Sequence, residues 1–345
     1  MPTFQPEELL DLAVAISRKL GASDEDALTV GKHLVDANLA GHDSHGVIRL
    51  VQYRRHVDEG KIVPDATVET VRETGTTALL DGNKAWGQVV ARRAVEVALA
   101  KAREQRVAAV SVRNCYHIGR VGVYPRMAAR EGFIAQLHAN GHGIARVAPW
   151  GGTEPRLATN PLAVAIPTRS SPVVVDITTS VVAEGKIRVA RNASRSIPEG
   201  WVIDRKGRPT TDPADLYAGG SLLPLGGREG HKGYGLSVVV DVLGGVLSGA
   251  GCGFLTEEIG NGLFLQLTDP AAFVERETFL DRVEEFLAYL RSSAPRDGIE
   301  EILVPGEPEE RTTERRRREG IEVDDVTWSE LRELARSLGL ALSSP

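Results

Sequence analysis

The chain has 345 residues, of which 42% are hydrophobic and 26% charged, and this composition is ordinary for a globular protein of two or three domains or one large α/β unit. A net charge of −6 with interspersed signs argues against nucleic acid as the main partner. Two cysteines, Cys115 and Cys252, are too few for a disulfide framework and fit a reducing cytosol. The acidic N-terminus lacks the features of a signal peptide, and we expect a cytoplasmic protein.

Apolar residues at helical spacing predict three helices within the first 60 residues. The first ends at Gly21, the second runs from Ser23 to Gly41, and the third covers residues 47–58.

Strands and helices alternate from about residue 65, which predicts an α/β protein with helical character at both ends. The predicted strands are 67–71, 78–80, 107–112, 133–139, 162–166, 173–177 and 263–267. The predicted helices are 88–105, 124–130, 183–191, an apolar helix from Gly233, 278–291, and a last helix opened by a capping box at 327–330.

Three stretches call for a more specific interpretation. Residues 234–250 form the most apolar segment, but Asp241 interrupts it, so we expect a buried helix and no membrane span. Residues 192–233 are rich in glycine and proline and predict a loop region. The four arginines 315–318 are flanked by glutamates and predict a solvated helix face.

The most informative motif is residues 41–50, in which His45 and Arg49 stand four apart. On one helix these positions share a face, and Tyr53 extends that face by a turn. Arg49 would bind a small carboxylate through two hydrogen bonds, while His45, with a reference pKa of about 6.5, would transfer a proton nearby. The alternative is structural: Arg49 pairs with a surface acid, and His45 caps a helix end.

Two glycine-rich stretches resemble dinucleotide-binding fingerprints and fail as such. In residues 141–146 Arg146 stands where a third glycine is required, and in 249–254 Phe254 does. No phosphate-binding P-loop occurs either. A bound nucleotide would therefore be held without the Rossmann or P-loop arrangement.

Other residues carry chemistry with less specific signals. His117 follows a strand beside Gly119, and Asp176 follows three valines, where an unpaired acid is costly to bury. Residues 226–235 open a helix with Lys232 and would suit a phosphate, although a mobile loop is an equal interpretation. His45, His117, His231 and Asp176 could together bind a metal, but their spacing matches no metal motif, so metal-dependent hydrolysis is the weaker alternative.

Blocks spread in order along the chain resemble the type-2 malate/L-lactate dehydrogenase family, whose relatives include hydroxycarboxylate dehydrogenase B. The blocks that carry the resemblance are residues 44–49, 114–119, 147–152, 159–161, 175–176, 197–201, 210–213, 230–237 and 305–307. The variant at residues 117–122 looks nearest to the hydroxycarboxylate dehydrogenase B branch.

The resemblance implies an NAD-dependent oxidoreductase of 2-hydroxy and 2-oxo acids, with NADP not excluded. It also implies a mixed sheet in a non-Rossmann nicotinamide-binding fold, a helical domain formed by the N- and C-terminal parts, and a homodimer. The residues implied to be catalytic are His45 as the acid/base, Arg49 as the carboxylate ligand, His117 in the same pocket, and Asp176 near the nicotinamide or a histidine. The residues implied to contact the cofactor are His45, Gly119, Arg120, Val121, Asp176, Ile177, Thr178, Thr179, His231, Lys232, Asn261, Pro305, Gly306 and Glu307.

The predicted organisation has four parts. These are a helical segment 1–64 with the His45 motif, an α/β substrate-side segment 65–118, a cofactor-binding domain 119–270, and a C-terminal helical segment 271–345 that packs back on the N-terminal part. The substrate side chain stays open, as does reduction of a cyclic imino acid. Arg188, Arg191 and Arg195 are candidates for binding the 2′-phosphate of NADP.

Overall fold

A computed structural model describes residues 1–192 and 194–340, and it shows a mixed α/β protein, as predicted. Residues 341–345 of the predicted C-terminal segment lie outside this description. The helices are α1 (Pro6–Lys19), α2 (Asp24–Leu39), α3 (Arg49–Asp58), α4 (Gly87–Gln105), α5 (Val123–Arg130), α6 (Glu184–Asn192), α7 (His231–Val240), α8 (Arg276–Arg291), α9 (Glu307–Glu319) and α10 (Asp325–Ser337). The strands are β1 (Thr3–Phe4), β2 (Glu69–Glu73), β3 (Thr77–Asp81), β4 (Val107–Cys115), β5 (Ile134–His142), β6 (Leu162–Ile166), β7 (Val173–Ile177), β8 (Val202–Ile203), β9 (Pro209–Thr210), β10 (Ser221–Leu222), β11 (Gly260–Thr268) and β12 (Ile321–Glu322).

The main sheet has seven strands in the order β2-β3-β4-β11-β5-β6-β7. Only β3 and β4 are parallel neighbours, joined through helix α4, and the other pairs are antiparallel. Alternating apolar residues such as Val110, Leu137 and Leu265 bury one face of the sheet in a core shared with α4 and α5. This core fixes the end of β4, and a smaller cluster of Val174 with Ala129 and Ala165 holds β7, and the candidate site is built from the ends of these two strands.

A second core joins the two ends of the chain. β1 pairs with β12, and the ring of Phe4 lies 4.5 Å from that of Trp328 on α10. Helices α1, α2 and α3 contribute to the same core. Helix α8 packs elsewhere, with Leu287 against Val173 of β7. The boundaries of the predicted segments stay predictions.

The expected loop region 192–233 contains a small sheet in the order β10-β8-β9. Its apolar side chains, including Val202 and Leu222, form a third core with Ile187 of α6. Helix α6 is thereby fixed beside the His45 motif.

Two expectations about helix N-termini were wrong. Helix α3 begins at Arg49, so His45 and Arg49 do not share a helix face. Helix α10 is capped by Asp324, whose carboxylate accepts a hydrogen bond from the amide of Thr327. Thr327, at which the capping box was predicted, therefore lies inside the first turn of α10. Asp324, and not Thr327, caps this helix.

The prediction that the apolar segment 234–250 is buried was also wrong. The segment forms α7 and a π-helix, Asp241–Val246, and its inward side carries Ser237, Val240 and Asp241. The Asp241 carboxylate accepts hydrogen bonds from the side-chain amides of Asn140 at 3.1 Å and Asn160 at 2.8 Å, which holds this side against the sheet. The apolar side chains of the opposite face are exposed: Leu236, Val239, Val242, Val246 and Leu247. In the part of the chain described, no helix is both long and apolar enough to cross a membrane.

Candidate active site

The segment that carries His45 is held in place by the side chain of Asn38, at the end of α2. The Asn38 amide donates to the Asp43 carboxylate at 2.7 Å, and its carbonyl oxygen accepts from the Val47 amide at 2.9 Å. A side chain at Gly46 would collide with Asn38, since a Cβ there would lie 2.2 Å from its carbonyl oxygen. His45 therefore ends a short 3₁₀-helix, Asp43–His45, in a segment fixed from both sides.

Helix α9 supplies a further restraint on the same segment. Three of the four arginines 315–318 are exposed, as predicted, whereas Arg316 turns inward. Its guanidinium donates to both carboxylate oxygens of Asp43, at 2.7 and 3.0 Å, and to the backbone carbonyl of Asn38. A bidentate pair of this kind fixes orientation as well as position.

His45 and His117 are in direct contact, although 72 residues separate them. Nδ1 of His45 lies 3.2 Å from Nε2 of His117. Nδ1 of His117 lies 2.9 Å from the hydroxyl of Tyr53 on α3, and Nε2 of Gln88 on α4 donates to that hydroxyl at 2.6 Å. Tyr53 and Gln88 are each 1% exposed, so this four-residue chain runs from the protein interior to His45.

The order of this chain defines one proton arrangement in which every contact has a donor and an acceptor. In this arrangement the Tyr53 hydroxyl accepts from Gln88 and donates to Nδ1 of His117. His117 then carries its proton on Nε2 and donates to Nδ1 of His45. Neutral His45 is left with its proton on Nε2, the nitrogen outside the chain.

Arg49 is the first residue of α3, and its guanidinium is held by neutral groups. Nε donates to the Ser44 carbonyl at 2.6 Å, and Nη1 donates to the Gln52 side-chain oxygen at 2.5 Å. Among the described residues, no carboxylate lies within ion-pair distance of Arg49, so the alternative of a surface ion pair was wrong. A half-buried cation without an acidic partner is suited to an anionic ligand.

Burial and charge change the titration of both histidines. The pKa values of His45 and His117 are well below the ordinary value, because burial disfavours the imidazolium and the Arg49 charge adds to this effect. The expectation of an unperturbed pKa near 6.5 was therefore wrong. Burial raises the pKa of the Tyr53 hydroxyl, which stays protonated.

The predicted cofactor residues after β4 meet Asp176 on β7. Its carboxylate accepts from the Gly122 amide at 2.7 Å and lies 3.7 Å from Nε of Arg120. Arg120 is 4% exposed, and its Nε has no hydrogen-bond partner among the described residues. Gly119 has a φ of +78°, and a Cβ there would lie 2.2 Å from Nε2 of His33, so only glycine fits. Val121 is buried beside these groups.

The segment 305–307 lies along the edge of β7. The Pro305 carbonyl accepts from the Val174 amide at 3.0 Å, and Gly306 has a φ of +101°. The Glu307 carboxylate is already used, because it accepts from the Val304 amide and from Arg291. The structure thus brings segment 305–307 and Asp176 to the same strand.

Residues 177–179 follow β7 and are hydrogen-bonded to the segment that precedes α7. Ile177 is partly exposed, the Thr178 hydroxyl donates to the Ser180 carbonyl, and Thr179 donates from both its amide and its hydroxyl to the Thr159 carbonyl. The Leu225 amide in turn donates to the Thr179 carbonyl.

The remaining predicted cofactor residues lie at the start of α7 and on β11. His231 and Lys232 are exposed, and the His231 ring lies 6.1 Å from that of Trp150. The Asn261 amide donates to the Asn140 carbonyl at 2.8 Å, a contact within the sheet. Among the described residues, no group of three or more histidines, cysteines or acids could hold a metal ion, so the four proposed ligands do not form such a set.

The sequence indicated Tyr53 only as part of a stripe and did not indicate Gln88 or His33 as site residues. A glutamine in the first turn of an amphipathic helix is ordinarily exposed, so no local pattern marks Gln88. No local pattern marks His33 either. Its Nε2 accepts a hydrogen bond from the backbone amide of Arg120 at 2.9 Å, a contact between residues 87 positions apart.

Comparison with known proteins places this geometry in a family. The family model described as malate/L-lactate dehydrogenase matches residues 4–332. A malate dehydrogenase of Pyrococcus abyssi is 39% identical over 97% of this chain and 94% of its own length. A hydroxycarboxylate dehydrogenase B of Escherichia coli is 35% identical over 98% and 94%. The crystal structure of a malate dehydrogenase from Entamoeba histolytica superposes with a TM-score of 0.95 at 30% identity, covering 99% of both chains. The chain belongs to the malate/L-lactate dehydrogenase family.

Proposed function

We propose that the protein is an NAD(P)-dependent oxidoreductase that interconverts 2-hydroxy and 2-oxo carboxylic acids. The observation that carries the proposal is that Arg49, a cation with no acidic partner in the part of the chain described, lies near the neutral His45–His117 pair. Family membership supports the reaction class.

Arg49 is the proposed carboxylate ligand. Its Nε and Nη1 are used by Ser44 and Gln52, and these two bonds fix the plane of the guanidinium. The donors that they leave free would bind the carboxylate of a 2-oxo acid and set which face of its carbonyl is presented. The carboxylate would also offset the charge that depresses the pKa of both histidines.

His45 is the proposed acid/base. In reduction, negative charge develops on the carbonyl oxygen, and the proton on Nε2 of His45 is available to it. The donor is the protonated form of His45, which becomes neutral when this proton leaves, and the reverse reaction uses neutral His45 as the base. His117, whose Nε2 lies 3.2 Å from Nδ1 of His45, holds the His45 ring in place and is itself held by Tyr53. Asp176 is assigned to the cofactor side, since its contacts are Gly122 and Arg120.

The cofactor would bind along residues 119–122, the end of β7, segment 305–307 and the start of α7. The backbone at Gly119 and Gly306 permits close approach, and the buried Nε of Arg120 has no hydrogen-bond partner among the described residues, with the Asp176 carboxylate 3.7 Å away, so the donors present fit an anionic dinucleotide. The bound nicotinamide supplies or accepts the hydride. A largely antiparallel sheet without a glycine fingerprint supports a non-Rossmann binding mode.

A cytoplasmic homodimer is part of the proposal. The face of α7 and the following π-helix is apolar and exposed, and Leu255, later in the chain, is 91% exposed. Exposed apolar surface of this kind is typical of a subunit interface. The NAD versus NADP preference and the reduction of a cyclic imino acid stay predictions.

The test starts with cofactor binding. Trp150 lies beside His231, so its fluorescence should change saturably when NADH or NADPH is titrated into the protein. Loss of NAD(P)H absorbance with a panel of 2-oxo acids and cyclic imino acids then identifies the reaction. A folded protein that binds neither cofactor would overturn the proposal.

A further inference from the structure

Helix α6 brings a second arginine to the Arg49 end of the site. Gly185 packs on Ser44, since a Cβ at position 185 would lie 3.1 Å from the Ser44 Cβ. The Ser44 carbonyl is the group that holds Nε of Arg49. Arg188 follows Gly185 by three residues and therefore lies on the same face of the helix. The rotation of α6 is fixed, because Ile187 is fully buried on another face.

The acid nearest to Arg188 in sequence is already used. Glu184 stands four residues earlier, where a helix would ordinarily form an ion pair with Arg188. Instead, the Tyr217 hydroxyl donates to the Glu184 carboxylate at 2.5 Å, and the guanidinium of Arg191 lies 4.0 Å above the Tyr217 ring. Half-buried Arg188 makes no side-chain hydrogen bond or ion pair with any described residue.

The two guanidinium groups act on each other. The Arg188 charge is one of the causes that lower the pKa of Arg49, after burial itself. Two cations that share a partly buried space repel each other, and a ligand with two negative groups relieves that repulsion. The Glu184 charge opposes the effect of Arg188 on Arg49, but its carboxylate is hydrogen-bonded to Tyr217. A ligand with two negative groups therefore compensates the two guanidinium groups better than a ligand with one carboxylate.

We propose that Arg188 binds the second acidic group of the substrate, so that the preferred substrates are 2-hydroxy and 2-oxo acids with a carboxylate or sulfonate at the far end. This inference rests on the proposed function, in which Arg49 binds the first carboxylate. An arginine in this position would favour substrates with two acidic groups over substrates with one, such as lactate. The sequence pattern left this preference open.

The kinetic test compares oxaloacetate, sulfopyruvate and pyruvate in wild type, Arg188→Gln and Lys186→Gln. Lys186 is an exposed cation on the same helix, so its variant controls for the loss of one charge. In Arg188→Gln we expect kcat/KM to fall at least tenfold for oxaloacetate, sulfopyruvate or both, and to change less than threefold for pyruvate. The control should resemble wild type. Which of the two dianions loses more identifies the acid group.

Three kinetic outcomes would overturn the inference. An equal loss for all three substrates would indicate a structural role for Arg188. An unchanged kcat/KM for both dianions would remove it from the site. A change confined to the KM of NADPH would assign Arg188 to the 2′-phosphate instead.

A binding measurement separates this inference from the proposed function. Malonate, but not acetate at equal ionic strength, should raise the thermal unfolding midpoint of wild type and Lys186→Gln, and not that of Arg188→Gln. If wild type reduces none of the three acids yet shows this pattern, the proposed function fails and the dianion site stands. If malonate stabilises Arg188→Gln as much as wild type, the inference fails.

Discussion

Nδ1 of His45 lies 3.2 Å from Nε2 of His117, so two histidines from distant parts of the chain share one hydrogen bond inside the candidate site. Arg49 is close enough to affect the pKa of both imidazoles, so either one could exchange a proton with an acid bound to Arg49. The chain from Gln88 through Tyr53 gives them different roles, since His117 lies between Tyr53 and His45.

Replacement of His45 by alanine tests which histidine is the acid/base. We expect kcat to fall by about 10²–10⁴, the usual contribution of a positioned proton donor. Cofactor binding, followed by Trp150 fluorescence, should be retained. If His45→Ala keeps most of its turnover while His117→Ala loses it, the acid/base role belongs to His117.

Tyr53→Phe tests the inner part of the chain. Removing the hydroxyl leaves Nδ1 of His117 and the Gln88 amide without a partner, so we expect the free energy of unfolding to fall by about 1–3 kcal/mol. We also expect kcat to fall about tenfold or more, because the ring of His117, which positions His45, loses its hydrogen bond to Tyr53.

A matched control for this variant is Tyr116→Phe. The Tyr116 hydroxyl lies 3.2 Å from Nε2 of His56, a buried pair outside the hydrogen-bonded chain. Tyr116 also interacts with Gln52, which orients Arg49, so any effect of this variant on substrate binding would change KM and not kcat. The free energy of unfolding of Tyr116→Phe should fall by about as much as that of Tyr53→Phe. Its kcat should stay within about threefold of wild type, a change well below the usual contribution of one proton donor. Equal kcat losses in the two variants would show that Tyr53 acts through stability alone.

Arg49→Lys tests the carboxylate ligand. A lysine keeps the charge and loses the planar fork, together with the bonds to Ser44 and Gln52 that orient it. We expect KM for a 2-oxo acid to rise about tenfold or more, which corresponds to the loss of one charged hydrogen bond. An unchanged KM in steady-state assays would place the carboxylate elsewhere.

The pH dependence of stability follows from His33. Its pKa is lowered to about 3, because the imidazole is buried and lies near the Arg120 charge. Between about pH 6.5 and 3 the unfolded chain binds a proton that the folded protein does not, so stability falls as the pH falls, by about 1.4 kcal/mol per pH unit from this group. Urea unfolding across this range measures the slope, and His33→Gln should reduce it. An unchanged slope in that variant would remove His33 from the account.

Most of the fold could be predicted from the sequence, since β4, β5, β7 and β11 carry runs or alternations of apolar residues that identify a strand without tertiary information. The failures have a tertiary cause. Whether the apolar segment 234–250 is buried depends on which side Asp241 fixes to the sheet, and the pairing of Arg316 with Asp43 spans 273 residues. Spacing indicated His45 and Arg49, and the resemblance supplied the residues implied to contact the cofactor, whereas the contact of Gln88 with Tyr53 and the position of helix α6 beside Ser44 required the structure.

The proposed dimer interface leads to the last prediction. Val246 is 64% exposed on the apolar face that follows α7, and a glutamate there would place a charge in the subunit interface. We expect Val246→Glu to sediment as a monomer at concentrations where wild type is a dimer. Phe286→Glu is the matched control, because Phe286 is 57% exposed on α8, away from this face, and should leave the dimer intact. Dissociation by Phe286→Glu but not by Val246→Glu would move the interface to α8.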